Sequence, residues 1–192
     1  MPTKKDLRIT YLEKRLNLPA TAAATANAAI LQHCMDLDYS SMRYVHLFLP
    51  IDAKKEVDTR PLAQWLREAH PQVNLVLSST DMQTSQMLHY LWDAHTVLTT
   101  HRYGMTEPAG GTLVAPSSID LVFVPLLAFD LRGHRAGYGK GMYDRFLQQC
   151  RPDVLTVGLS QFDPVPAIDD AGPWDVRLKM AITPQAIYDF KS

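Results

Sequence analysis

The chain has 192 residues, 46% hydrophobic and 20% charged, which suits one globular α/β-sized domain over residues 1–192 with a core of its own. Its 19 Lys and Arg against 20 Asp and Glu leave a formal charge of −1, so there is no global field with which to hold nucleic acid or an anionic membrane, and any electropositive site must be a local cluster. Cys34 and Cys150 are too few for a disulfide framework and no run approaches the roughly 20 apolar residues of a membrane span, so a soluble cytoplasmic protein is expected.

"KKDLRITYLEKRLNL" (4–18) sets Leu7, Tyr11, Leu12 and Leu16 at helical spacing with cations on the other face, and Pro19 stops that helix. "ATAAATANAAILQHCMDLD" (20–38) favours a second helix through its alanines, giving an N-terminal helical segment of about 1–38. "RYVHLFLP" (43–50) reads as a strand ended by proline. "DTRPLAQWLREAHP" (58–71) reads as a helix capped by Asp58 or Thr59 with Pro61 in its first turn, and "QVNLVLSS" (72–79) as the next strand. "QMLHYLWDAHTVLTTH" (86–101) fits two short strands or a helix and a strand.

"IDLVFVPLLAFD" (119–130) is the most apolar run and reads as a central strand buried on both faces, ending or bulging at Pro125. Beyond it, "GMYDRFLQQC" (141–150) is a predicted helix, "VLTVGLS" (154–160) and "LKMAIT" (178–183) strands, and "PQAIYDF" (184–190) a short final helix. Strands alternating with helices predict an α/β fold with a mainly parallel sheet.

The densest chemistry lies in "RAGYGKGMYDRF" (135–146). Gly137, Gly139 and Gly141 alternate, so backbone N–H groups can converge on an oxyanion, the helix that follows points its positive end at the same place, and Arg135 and Lys140 add full charges. Two stock phosphate motifs fail. A P-loop needs glycine where His134 stands and Ser or Thr after its lysine, and a dinucleotide fingerprint needs glycine where Met142 stands. From the residues alone an anion site and a plain turn both stay open. Tyr143, Phe146, Leu147 and Cys150 share one face of the predicted helix and are expected in the core, which turns Asp144 elsewhere. That carboxylate suits magnesium beside phosphate oxygens, and equally suits the helix dipole or a neighbouring cation. The 7 histidines include no pair at zinc-ligand spacing, and His134 reads as a solvent-facing turn residue.

"DLVFVPLLAFDLRGHRAGYGKGMYDRFL" (120–147) resembles the signature of the 5-formyltetrahydrofolate cyclo-ligase family, also called 5,10-methenyltetrahydrofolate synthetases. "KKDLR" (4–8), "EVDTRPL" (56–62), "YGMTEP" (103–108) and "PWDVRLKMAIT" (173–183) resemble its other landmarks in order, so the likeness covers nearly the whole chain. The resemblance implies a three-layer α/β sandwich similar to the sugar-phosphate isomerase and CoA transferase type. It implies ATP- and Mg²⁺-dependent conversion of 5-formyltetrahydrofolate to 5,10-methenyltetrahydrofolate by a monomer, with ATP phosphorylating the formyl oxygen before N10 closes the ring.

The same likeness implies roles for residues. Lys4, Lys5 and Arg8, with Arg135, Gly137, Tyr138, Gly139, Lys140, Gly141, Met142, Tyr143 and Asp144, fall at nucleotide-binding positions, and Arg135 and Lys140 are the catalytic candidates. Asp144 and Asp175 fall at metal positions, and Leu49, Glu56, Tyr103 and Tyr143 at folate-binding ones. Met142 departs from the family's tyrosine, Ala136 from its leucine and Arg177 from its proline; no phosphate or metal ligand is lost thereby. Two other readings stay open at this point: an enzyme acting on another anionic substrate on a similar fold, and a non-catalytic nucleotide- or 5-formylfolate-binding protein.

Overall fold

A computed structural model describes residues 1–81, 83–84, 86–101 and 104–190. Strand β1 (Tyr44–His46) pairs in parallel with β2 (Asn74–Asp81) on one side and with β6 (Leu121–Pro125) on the other. β9 (Leu155–Leu159) and β10 (Met180–Ile182) continue the parallel run beyond β6. Two antiparallel strands close the edges, β3 (Gln86–Leu91) against β2 and β11 (Ile187–Asp189) against β10, giving the order β11-β10-β9-β6-β1-β2-β3. Two small ribbons stand apart: β4 (Leu98–Thr100) with β5 (Thr106–Pro108), and β7 (Ala128–Phe129) with β8 (Arg135–Ala136).

Period-two alternation in the central strands explains the layers. Val45, Leu47, Leu75, Leu77, Leu121, Phe123, Val157 and Leu159 share a core with Ile30 and Cys34 of α2 (Ala20–Met35) and Leu62, Ala63 and Leu66 of α3 (Arg60–Ala69). The alternate residues Val76, Val122 and Val124 pack with Phe129 and with Phe146 and Leu147 of α4 (Met142–Leu147). A third cluster seats Leu7 of α1 (Lys4–Leu16) on Ala128, Ala136, Val165 and Ile168, so α1 lies over the β7–β8 ribbon. The sandwich of the family resemblance is therefore present, with Tyr143 and Cys150 packed against the α4 core as their spacing predicts.

Two expectations change and one open reading is settled. "PQAIYDF" is a strand rather than a helix: the Thr183 hydroxyl accepts the N–H groups of Gln185 and Ala186, a tight turn that folds Ile187–Asp189 back along β10, where Tyr188 meets Phe129 edge-on. Pairing with an open sheet edge outweighs a short segment's weak helix propensity. The ambiguous stretch after Asp81 takes its two-strand form, while Pro125 ends β6 as expected. His134 is buried rather than solvent-facing, because its N–H and ring Nδ1 bond to the Asp130 carboxylate at 2.9 and 3.1 Å.

A buried histidine pair bridges β1, β2 and β3 towards one edge of the sheet. His46 Nε2 and His89 Nδ1 each lie 2.7 Å from the Ser78 hydroxyl, whose single proton can serve only one of them, so one ring donates and the other accepts. Burial and the neighbouring His89 hold His46 well below the ordinary histidine range, and burial brings His89 down to about 4. Between pH about 4 and the unfolded value near 6.5 the unfolded chain binds a proton at His89 that the folded chain does not. Stability from this group is thus complete above the unfolded value and is lost as pH falls towards 4, by about 3 kcal/mol. Urea titrations at steps across that interval should show the loss, and His89→Leu should reduce the slope to the part that His46 contributes; an unchanged slope would refute the assignment.

Candidate functional site

Because β2 leaves β1 on one side and β6 joins it on the other, the sheet's winding reverses at β1, and ligands in open α/β sheets sit outside the carboxyl ends of strands at such a point. Here that place is a cleft of ≈ 710 Å³, within the range of small-ligand sites. The chain after β1 supplies Leu49 and Glu56, β2 supplies Ser78 and Thr80, and Pro125 ends β6 in the same wall.

α1 brings the cations Lys4 and Arg8, four residues apart and so on one face. Its Thr3 cap bonds reciprocally with Asp6, which fixes where the helix begins and hence where Lys4 points. Lys4 Nζ donates to Asp175 Oδ2, and Arg8 Nε donates to the Gly137 carbonyl at 2.8 Å. Lys5 is exposed on another side of the helix and does not line the cleft.

The glycine segment runs along the cleft from β8 to α4. Gly139 and Gly141 have φ of +87° and +65°, the left-handed region that disfavours side chains, and a Cβ on Gly139 would lie 3.1 Å from the Arg8 guanidinium carbon. Glycine at 139 thus serves both the backbone turn and the approach of Arg8. α4 has only six residues, so its dipole is small, and positive charge at the site rests chiefly on Lys4, Arg8, Lys54, Arg135 and the exposed Lys140.

Arg135 is nearly buried, with its Nη2 donating to Asp144 Oδ1 at 2.7 Å and its Nη1 donating to the Val176 carbonyl. Burial lowers the guanidinium's pKa, opposed by the Asp144 and Asp175 charges, yet arginine titrates so high that it stays a cation. Of the readings of Asp144, the structure shows the pairing with a cation: Oδ1 accepts from Arg135 and from the Val176 N–H at 3.1 Å, and the carboxylate also lines the cleft. Asp175 lies in the same wall and accepts from Lys4 and from the Gly172 N–H at 2.6 Å. Burial works against its charge, but those hydrogen bonds and the Lys4 and Arg135 charges leave its pKa below the ordinary aspartate value.

Glu56 is buried, although its neighbours in "DAKKEVD" are charged throughout. Its Oε2 accepts the Ile51 N–H at 2.7 Å and its Oε1 the Tyr138 hydroxyl at 2.6 Å. Tyr143 lines the cleft beside it; burial, with Glu56's charge, pushes that phenol far up, so it is neutral. Met142 also lines the cleft, while Tyr103 lies outside the described residues.

Two site residues escaped the sequence reading. Glu107 on β5 is buried in the cleft wall, its Oε2 accepting the Thr80 N–H at 3.1 Å and facing His101 Nε2 at 3.2 Å. Only its place in "YGMTEP" marked it. Arg15 was placed on the outer face of α1 yet is buried, and it donates to the Tyr138 hydroxyl. A helical wheel holds the missing signal: positions 4, 8 and 15 fall on one stripe at 100° per residue, so three cations face inward together.

The 5-formyltetrahydrofolate cyclo-ligase family model matches residues 1–184. A 5-formyltetrahydrofolate cyclo-ligase of Haemophilus influenzae is 30% identical over 162 residues, 82% of this chain and 84% of that one. One from Mycolicibacterium smegmatis is 27% identical across 95% of this chain and 94% of its own. The fold superposes on the solution structure of Aquifex aeolicus 5,10-methenyltetrahydrofolate synthetase with a TM-score of 0.76 and 28% identity, covering 98% of this chain and 93% of that one. It also matches the fold of a Mycoplasma pneumoniae 5,10-methenyltetrahydrofolate synthetase, at a TM-score of 0.73 and 23% identity, over 94% of this chain and 98% of that one. With a switch-point cleft and a family match over nearly its full length, the chain belongs to the 5-formyltetrahydrofolate cyclo-ligase family.

Proposed function

We propose that the protein cyclises 5-formyltetrahydrofolate to 5,10-methenyltetrahydrofolate with ATP and Mg²⁺, releasing ADP and phosphate, and that it acts in the cytoplasm as a monomer of one α/β domain. The observation that carries this reading is a single cleft bordered at once by the Glu56 carboxylate and by the glycine segment with its cations and two aspartates. The two cysteines are unpaired, and no described helix is long and apolar enough to cross a membrane.

A formamide oxygen leaves poorly, so activation must precede ring closure. The γ-phosphoryl group of ATP passes to the formyl oxygen as its bond to ADP breaks. The N10 lone pair then forms the new C–N bond, the C–O bond breaks with phosphate leaving, and N10 gives up its proton. Catalysis of such a transfer is mainly positioning and charge neutralisation. Lys4, Arg8 and the glycine N–H groups hold the triphosphate, and Lys140 meets the charge on the transferring group. Arg135, anchored to Asp144 and Val176, adds a fixed positive charge beside it. Glu56 accepts from the N–H donors of the pterin, with Leu49, Tyr143 and Tyr103 against the ring.

Asp144 and Asp175 fit magnesium. Each uses one oxygen in protein hydrogen bonds and, among the described residues, has no such bond at the other, in a wall where phosphate oxygens would complete a hard, all-oxygen set. Bound there, magnesium supplies charge neutralisation to the triphosphate.

Purified protein given 5-formyltetrahydrofolate, Mg²⁺ and ATP should produce the near-ultraviolet absorbance of the methenyl product, with one ADP per product. No product from active folate would end the proposal. Glu56→Gln should weaken folate binding on the order of 10- to 100-fold, the value of losing a charged hydrogen-bond acceptor, and leave ATP-analogue binding in the absence of folate unchanged. Calorimetric titration of each ligand separately checks this.

A further inference from the structure

The contact between Tyr138 and Glu56 bridges 82 residues of sequence and ties the glycine segment to the opposite wall of the cleft. The Tyr138 hydroxyl donates to Glu56 Oε1 at 2.6 Å and accepts from Arg15 Nη2. Arg15 is itself buried and held by the Leu126 carbonyl, which accepts from its Nη1 at 3.3 Å, so its Nη2 is kept against Tyr138. The Lys54 ammonium sits 4.0 Å from the Tyr138 ring centroid on the same stretch of wall. A hydroxyl that accepts from a cation and donates to an anion makes two charge-assisted bonds that strengthen each other. Burial, with the Glu56 charge, pushes the phenol's pKa far up, so it remains a donor throughout the physiological range.

With Ile51 N–H on one oxygen and Tyr138 on the other, the Glu56 carboxylate has a fixed plane, and each oxygen keeps a lone pair for a further donor. Tyr138 lies between Gly137 and Gly139, and the Gly137 carbonyl is gripped by Arg8. Any shift of the glycine segment that accommodates a triphosphate therefore carries the phenol, and with it the plane of the carboxylate.

We propose that Tyr138 is a positioning residue that couples the two ligands: through its hydrogen bond to Glu56, set by Arg15, nucleotide held by the glycine segment and pterin held by Glu56 favour one shared arrangement. This rests on the ligand assignments made above. Linkage requires the effect to be reciprocal, each ligand tightening the other by the same factor.

The test titrates 5-formyltetrahydrofolate and the Mg²⁺ complex of a β,γ-imido ATP analogue, each alone and with the other saturating. Wild type should show mutual tightening of about fivefold or more. In Tyr138→Phe the factor, read as the ratio of each ligand's affinity with and without the other so that a change in either affinity alone cancels, should fall to within about twofold of unity. Arg15→Met, which leaves the glycine segment intact, should lower the factor in the same direction. A Tyr138→Phe protein with a lower melting temperature but full coupling would show a merely structural hydroxyl and overturn the proposal. So would a wild type that binds both ligands without coupling. A wild type that binds neither would instead overturn the ligand assignments beneath it, and the two failures are told apart by those first titrations.

Discussion

Asp144→Asn is expected to lower turnover by about a hundredfold or more, while 5-formyltetrahydrofolate affinity stays within about twofold. The amide oxygen of asparagine can still accept from Arg135 and from the Val176 N–H, the two bonds that seat this side chain, so the local structure has no reason to collapse. What disappears, on the proposed assignment, is the negative charge beside the triphosphate and the hard oxygen offered to magnesium. Lys140→Met should act in the same direction, because Lys140 is exposed and makes no packing contribution comparable to its charge. Single-turnover rates with saturating ATP, set against calorimetric affinities, separate the step from binding. If folate affinity fell in either variant while nucleotide affinity held, the glycine segment would be wrongly assigned to the nucleotide.

The largest loss of stability is expected from Asp130→Ala, at about 3–5 kcal/mol. Asp130 is fully buried, and its oxygens accept the N–H groups of Arg132, His134 and Ile168 at 2.9, 2.9 and 3.0 Å together with the His134 ring. Alanine would leave those donors unsatisfied in the interior. The turn they close joins β7 to β8 and delivers Arg135, so activity should fall with stability. Burial raises the Asp130 pKa, but the hydrogen bonds from Ile168, His134 and Arg132 outweigh it and leave the value below ordinary aspartate. Its contribution is therefore present above the unfolded value near 3.8 and is lost as pH falls through the lower folded one. That window lies below the histidine window, so urea titrations at steps of pH resolve the two, and wild-type stability in Asp130→Ala would contradict the account.

Much of the fold was legible because hydrophobic period and composition act locally. The short apolar run Leu75–Leu77 marked β2, the longer unbroken run marked β6, and Pro125 marked its end. The C-terminal strand was not legible, since Ile187, Tyr188 and Asp189 acquire strand structure from β10 beside them and carry little preference of their own. In the site, the glycine spacing and Lys140 could be read, whereas Glu107 could not, because one carboxylate in a short motif looks alike whether it faces water or a cleft.

By itself the sequence determined the α/β alternation, the family, and the inventory of glycines, cations and carboxylates from which a site could be built, because these are properties of residue type and spacing. Only the tertiary structure decided how that inventory is shared out. It turned Lys5 outward and Arg15 inward, paired Lys4 with Asp175 and Arg135 with Asp144, and set the Tyr138 phenol between Arg15 and Glu56. Except for Arg135 and Asp144, nine positions apart, these pairings join residues 82 to 171 positions apart. Burial of charge, which makes each partner necessary to the other, exists only once the chain has closed around them.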